Sequence, residues 1–135
     1  MKHLSGTGRI LVMDDEEEVR QTTLNILKRL GYTVECADDG AVAIELYLKM
    51  REAGTPFDAV IMDLTIPGGM GGKETLLRLL EIDLKVKAIV SSGYSNDPIM
   101  EDYKAHGFRG VITKPYRIRD LAETLQEVLL QKTSG

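Results

Sequence analysis

Five polar residues stand where short apolar runs of this chain end, and their types are those that handle phosphate and divalent cations. Two aspartates, Asp14 and Asp15, follow the first run, and Asp63 follows another. A hydroxyl, Ser92, and an ammonium, Lys114, end two more. Phosphoryl transfer needs a carboxylate nucleophile, a cation that offsets oxygen charge, a hydrogen-bond donor and a lysine point charge. The set therefore predicts phosphoryl-transfer chemistry.

Crowding of the carboxylates predicts a metal ion. Three carboxylates in one crevice repel one another, so the site must raise a carboxyl pKa or recruit a hard divalent cation; at neutral pH we expect the cation, with magnesium the natural candidate. Each residue alone has a simpler interpretation, since aspartates often cap helices and Ser92 or Lys114 could end a strand at the surface. Residues 16–18 continue the acidic run, and we interpret them as a solvated first helical turn. The coincidence on successive strand ends favours a shared site.

These residues need a scaffold that brings strand ends together, and the chain alternates between short β-type runs and longer amphipathic ones. The apolar runs are RILVM, TVECA, DAVIM, KAIVSS and FRGVIT, and the amphipathic windows are 17–30, 40–52, 72–82, 96–106 and 117–131. This alternation predicts five βα units. Nearly continuous apolar strands suit a parallel sheet buried on both faces, with crossover helices between them. An open doubly wound sheet places its ligand crevice at the carboxyl ends of the strands, where the polar residues stand.

The amphipathic windows also predict the core and the helix ends. Apolar residues near i, i+3, i+4 spacing form a core-facing stripe: Val19, Leu24, Leu27, Leu30, Leu121, Leu125, Val128 and Leu129. Gly31, Gly54 and Gly107 each follow a helical window, where a C-terminal cap commonly requires glycine.

Composition limits the class of protein. With 135 residues, 43% of them hydrophobic, the chain can bury one core, and we expect one domain over 9–131 with tails at 1–8 and 132–135. A net charge of -4 without a long basic stretch argues against direct binding to nucleic acid or to a membrane surface. The sequence has neither a signal-peptide segment nor an apolar stretch of membrane-spanning length, so we expect a cytoplasmic protein. The single cysteine, Cys36, is interpreted as a small buried hydrophobic residue.

In their order along the chain, these motifs resemble those of response-regulator receiver domains from two-component signalling, from Arg9 to about Leu130. The motifs are Asp14-Asp15 after the first strand, Asp63 after the third, Ser92-Gly93 after the fourth and Lys114-Pro115 after the fifth. Each motif alone is weak, but all of them in order are specific. The segments DLTIPGGMGGKE and SSGYS are most similar to receivers attached to hybrid sensor histidine kinases, so the chain could be part of a larger hybrid kinase.

The resemblance implies a flavodoxin-like fold with strand order 2-1-3-4-5. It implies a phosphorelay switch that accepts a phosphoryl group from a phosphohistidine on a sensor histidine kinase or a histidine phosphotransfer domain. Such a domain catalyses only its own phosphorylation and dephosphorylation and is not a turnover enzyme. Its cofactor is Mg²⁺.

The resemblance also assigns roles to individual residues. Asp63 would be phosphorylated, with Ser92 and Lys114 as its catalytic partners; Ser91 is the less favoured register for the hydroxyl. The magnesium ligands would be Asp14, Asp15, Asp63 and the backbone carbonyl of Thr65. The Lys114–Pro115 bond would be cis.

Two departures and two alternatives complete the prediction. The segment 67–72 is richer in glycine than is usual in the family, and Val111 stands where many receivers carry an aromatic switch residue. Tyr94 and Asn96 could shield an acyl phosphate from water or be an ordinary loop pair. The alternatives are a phosphatase of the haloacid dehalogenase type, which would want an aspartate in place of Thr65, and a pseudo-receiver, which usually loses one of the acidic or lysine residues.

Overall fold

The computed structural model describes residues 6–93 and 97–131 and arranges them as five parallel strands with helices on both sides. The strands are β1 (Arg9–Met13), β2 (Thr33–Ala37), β3 (Ala59–Asp63), β4 (Ala88–Ser92) and β5 (Gly110–Thr113). The helices are α1 (Glu17–Arg29), α2 (Gly40–Glu52), α3 (Gly72–Ile82), α4 (Pro98–Glu101) and α5 (Ile118–Leu130). The strand order is β2-β1-β3-β4-β5, which confirms the doubly wound, flavodoxin-like prediction.

The sheet divides the core into two layers because successive strand residues point to opposite faces. Ile10 and Val12 pack into the cluster that contains the buried leucines of α1 and α5, whereas Leu11 and Met13 pack into the cluster that contains α2, α3 and Phe108. Every residue of β3 and β4 is buried, as expected for central strands covered on both faces. Of the predicted stripe, Val19, Leu24 and Leu129 are only partly buried.

The fourth helix differs from the prediction of one helix over 96–106. The structure has the short α4, then a 3₁₀ turn at Tyr103–His106. Asp97 starts α4 by accepting a hydrogen bond from Ile99 N–H, and Asp102 leaves the helical conformation with φ -122° and ψ 47°. Met100 is the only buried residue of α4, and Ile99 and Tyr103 pack partly buried against the same core layer.

The glycine prediction is confirmed, since Gly31, Gly54 and Gly107 all have positive φ. Cys36 is half-buried rather than buried, and it packs against the α1 and α5 layer. Within 6–93 and 97–131, no helix is long and apolar enough to cross a membrane.

Candidate active site

The end of the sheet brings two buried carboxylates and one lysine together. Asp14 follows β1 and is 1% exposed, and Asp63 ends β3 and is 6% exposed. Lys114, just after β5, places its Nζ 2.7 Å from Asp14 Oδ2 and 3.1 Å from Asp63 Oδ2. The predicted convergence of strand-end residues is therefore present in the structure.

Asp14 is held by contacts on every side. Its Oδ1 accepts a hydrogen bond from Glu16 N–H at 2.9 Å, and its own N–H donates to the Ala37 carbonyl at 3.0 Å. Arg20 Nη1 donates to the Asp14 carbonyl at 2.8 Å. Asp14 Oδ1 therefore makes the local contact that the simpler interpretation expected. The other carboxylate oxygen, Oδ2, pairs with Lys114.

A cleft of about 430 Å³ opens above these carboxylates. Its lining contains most of the predicted site together with Glu16: Asp15, Glu16, Asp63, Thr65, Pro67, Ser92, Gly93 and Lys114. Ser92 lines this cleft, whereas the hydroxyl of Ser91 points elsewhere and bonds to Tyr116. The structure therefore favours Ser92 over Ser91 as the hydroxyl that faces Asp63.

Burial dominates the electrostatics of the nucleophile candidate. Burial raises the pKa of Asp63 above its usual range and the Asp14 charge adds to the rise, although Lys114 and a hydrogen bond from Thr65 N–H oppose it. For Lys114, burial alone would lower the pKa, but hydrogen bonds to Asp14 and Asp63 outweigh it and raise the pKa. Pairing with Lys114 alone would lower the pKa of Asp63. The pKa is raised instead because removing the carboxylate from water costs more than the ammonium, which Asp14 also shares, can offset.

The donor set fits a hard divalent cation. Carboxylate oxygens of Asp14, Asp15 and Glu16 lie within 4.8 Å of one another, and Asp63 and Thr65 line the same cleft. All of these donors are oxygens, which Mg²⁺ prefers. Glu16 was not predicted to take part, because a third acidic residue at a helix start is indistinguishable in sequence from a solvated one.

The glycine-rich segment after Asp63 lets a helix begin unusually close to the site. A Cβ on Gly71 would lie 2.5 Å from the Leu64 carbonyl oxygen, and one on Gly72 would lie 2.9 Å from the Asp63 carbonyl oxygen. Only glycine permits this approach. The segment is also attached to α2, since Gly40 N–H donates to the Met70 carbonyl at 2.9 Å.

Several other predicted features have definite positions. The Lys114–Pro115 bond is cis, as predicted. Val111 is half-buried and packs against the core layer that contains Phe108. Tyr94 and Asn96, which were considered as a shield for the site, lie outside the described residues.

Comparison with known proteins agrees with this geometry. The family model described as response regulator receiver domain matches residues 10–126. The chain is 34% identical over 126 residues to the sensor kinase CckA of Brucella abortus, which covers 93% of this chain but 13% of that kinase. It is 30% identical over 122 residues to the response regulator receiver protein CpdR of the same species, which covers 90% of this chain and 97% of that protein.

Among solved structures, the chain is similar in fold to the receiver domain of a sensor histidine kinase from Pseudomonas aeruginosa. The TM-score is 0.79 at 21% identity, and the match covers 92% of this chain and 98% of that one. That structure has a magnesium ion coordinated in its active-site cleft.

Proposed function

This chain belongs to the response regulator receiver domain family, and we propose that Asp63 is its phosphoacceptor and Lys114 and Ser92 its catalytic partners. The observation that carries the proposal is the ion pair between Lys114 Nζ and the buried Asp63 carboxylate, at the floor of a cleft that Ser92 also lines. A nearly buried carboxylate at a strand end, with a cation beside it and an open path above it, is placed for attack on phosphorus.

The proposed donor is a phosphohistidine on a sensor histidine kinase or a histidine phosphotransfer domain. An Asp63 oxygen attacks phosphorus, an O–P bond forms, and the P–N bond breaks with its electron pair going to the imidazole nitrogen. Lys114 balances negative charge on the phosphoryl oxygens, and the Ser92 hydroxyl donates a hydrogen bond to one of them. Mg²⁺, held by Asp14, Asp15, Asp63 and the Thr65 carbonyl, would supply further positive charge at these oxygens.

Receiver domains are signalling switches, and we propose that this one also hydrolyses its own acyl phosphate. A water oxygen would attack phosphorus, the bond between phosphorus and the Asp63 oxygen would break with its electron pair going to the carboxylate, and inorganic phosphate would leave with the water's protons shared between it and solvent. We place the domain at 9–131, and we propose that it serves a hybrid kinase or a separate partner. The match to CckA spans 13% of that kinase, which supports the first arrangement, and the match to CpdR spans 97% of that protein, which supports the second.

Phosphorylation with a small donor tests the assignment. We expect acetyl phosphate with Mg²⁺ to modify Asp63, as mapped by mass spectrometry, and Asp63→Asn to reduce incorporation to background. Asp38→Asn is the matched control, because Asp38 is an exposed aspartate outside the cleft lining. Incorporation at the wild-type level in Asp63→Asn would refute the assignment.

A further inference from the structure

A pair of hydroxyl groups lies behind the proposed phosphoacceptor site, on the α1 and α5 side of the sheet. Ser91, at 0% exposure, shares a hydrogen bond with the hydroxyl of Tyr116, whose ring packs into the core layer formed by α1 and α5. The buried Ser91 hydroxyl must find a hydrogen-bond partner, a requirement that an apolar side chain in its place would not carry. Core packing alone therefore does not require this pairing.

Ser91 is bonded to both halves of the site. It lies opposite Asp63 in the register of β3 and β4, and its carbonyl accepts a hydrogen bond from Leu64 N–H at 2.8 Å. Its side chain holds Tyr116, two residues beyond Lys114. One buried serine thus connects the backbone next to the nucleophile with the segment that carries the lysine.

Tyr116 is the inward anchor of that segment. Pro115 and Arg117 on either side of it are exposed, whereas Tyr116 is partly buried and packs against the core layer that contains α1 and α5. The backbone supplies a second anchor, because Lys114 N–H donates to the Ser92 carbonyl at 2.9 Å. Two attachments to β4, one on each side of the Lys114–Pro115 bond, restrict where the lysine side chain can start.

We propose that Tyr116 is a positioning residue: through Ser91, its hydroxyl fixes the segment 114–116 on β4 and so holds Lys114 Nζ beside Asp63. This inference rests on the proposed function, since it assumes that Lys114 assists phosphoryl transfer. Loss of the hydroxyl should slow the chemical step and leave metal affinity unchanged, because neither Tyr116 nor Ser91 is an expected metal ligand and neither lines the cleft that contains Asp15, Asp63 and Thr65.

The test is a double-mutant cycle between Tyr116→Phe and Lys114→Met, with acetyl phosphate as donor. In the wild-type background, Tyr116→Phe should lower the maximal rate of Asp63 phosphorylation by roughly tenfold. The Mg²⁺ dissociation constant, measured by calorimetry, should stay within about twofold of the wild-type value, because the expected ligands are unchanged. In the Lys114→Met background, Tyr116→Phe should not lower the rate further, because there is no longer an ammonium to position. Rates are expressed per folded protein, measured by far-UV circular dichroism, because Lys114→Met is expected to be less stable than the wild type. An ordinary packing role would lower the rate in both backgrounds.

The variant Ser91→Ala/Tyr116→Phe separates stability from positioning. Removing both hydroxyls leaves no buried hydroxyl unpaired, so urea unfolding should show wild-type stability while the phosphorylation rate stays low. If Tyr116→Phe alone does not fold, this double variant takes its place in the cycle. A wild-type rate in Tyr116→Phe, or equal losses with and without Lys114, would overturn the positioning role. Absence of phosphate on wild-type Asp63 would overturn the proposed function and this inference with it.

Discussion

Replacing Lys114 with methionine should destabilise the metal-free protein strongly, because the ammonium is shared by two buried carboxylates. Its Nζ lies 2.7 Å from Asp14 and 3.1 Å from Asp63, and the side chains of the three residues are 16%, 2% and 8% exposed. At an effective dielectric constant of about 20, each contact is worth about 5 to 6 kcal/mol before desolvation is subtracted. Removing one partner of a buried pair typically costs about 3 to 5 kcal/mol, and we expect a loss in that range.

The pH dependence of this loss has a definite sign. Burial already raises the pKa of Asp63, and without Lys114 an opposing influence is gone, so the pKa should rise further. The folded state then binds a proton on Asp63 more tightly than the unfolded state, in which aspartates have a pKa of about 3.9. Stability therefore falls as pH increases above the unfolded value and recovers as pH decreases. Lys114→Met should regain part of its lost stability as the pH is lowered toward the pKa of aspartate in the unfolded state.

Urea unfolding followed by far-UV circular dichroism, with EDTA present, measures both effects. The exposed lysine Lys73, on α3, supplies the matched control Lys73→Met, which should change the unfolding free energy by less than about 0.5 kcal/mol. The slope with urea should be the same in all variants, which shows that the unfolded states are comparable. A loss below about 1 kcal/mol in Lys114→Met, or a loss that grows as pH falls, would refute the shared-ammonium argument.

Two further predictions concern the metal and the output. At Mg²⁺ about 100-fold above its dissociation constant, the free energy of unfolding of the wild type should increase by about 2.7 kcal/mol. Without metal, Asp15→Asn should melt at or above the wild type, and Mg²⁺ should stabilise it almost not at all. Equal stabilisation of both proteins by Mg²⁺ in a thermal melt would contradict the metal assignment. Val111 is half-buried, and its β-branched side chain has few rotamers, so we expect it to stay in place when Asp63 is modified. When beryllofluoride and Mg²⁺ are added, the largest backbone chemical-shift changes should therefore fall at 63–70 and 91–98. Comparable changes over 108–112 would contradict this prediction.

Local patterns predicted the five βα units and the convergence of the strand ends, because this information is carried by neighbouring residues, whereas the strand order and the individual roles in the site came from the family resemblance. Buried parallel strands must be continuously apolar, and their carboxyl ends must meet at one edge, so the amino-acid sequence alone places Asp14, Asp63 and Lys114 together. The helix predicted over 96–106 is a short α-helix and a 3₁₀ turn in the structure, because the chain leaves the helical conformation at Asp102, and the amphipathic pattern does not show that break.

The features that sequence did not predict depend on distances between remote residues. Tyr116 reaches Ser91 across 25 positions, and that contact depends on the register of β4 and on the path of the chain after Lys114. Glu16 reaches the cleft because Asp14 accepts its N–H and turns the chain there. Neither contact leaves a periodic signal, since each is a single pairing that the packed backbone decides.

The position of Lys114 between Asp14 and Asp63 determines how phosphorylation would redistribute charge in the site. Before phosphorylation, its ammonium is shared between Asp14 and Asp63, and burial still raises the pKa of Asp63 despite this pairing. A phosphoryl group on Asp63 would move negative charge outward into the cleft, where Ser92 and Lys114 can follow it. Asp14 would then depend on the divalent cation for its compensation. The phosphorylated state should therefore depend more steeply on Mg²⁺ than the resting state, because the ammonium that Asp14 and Asp63 share at rest would then be shared with the phosphoryl oxygens as well.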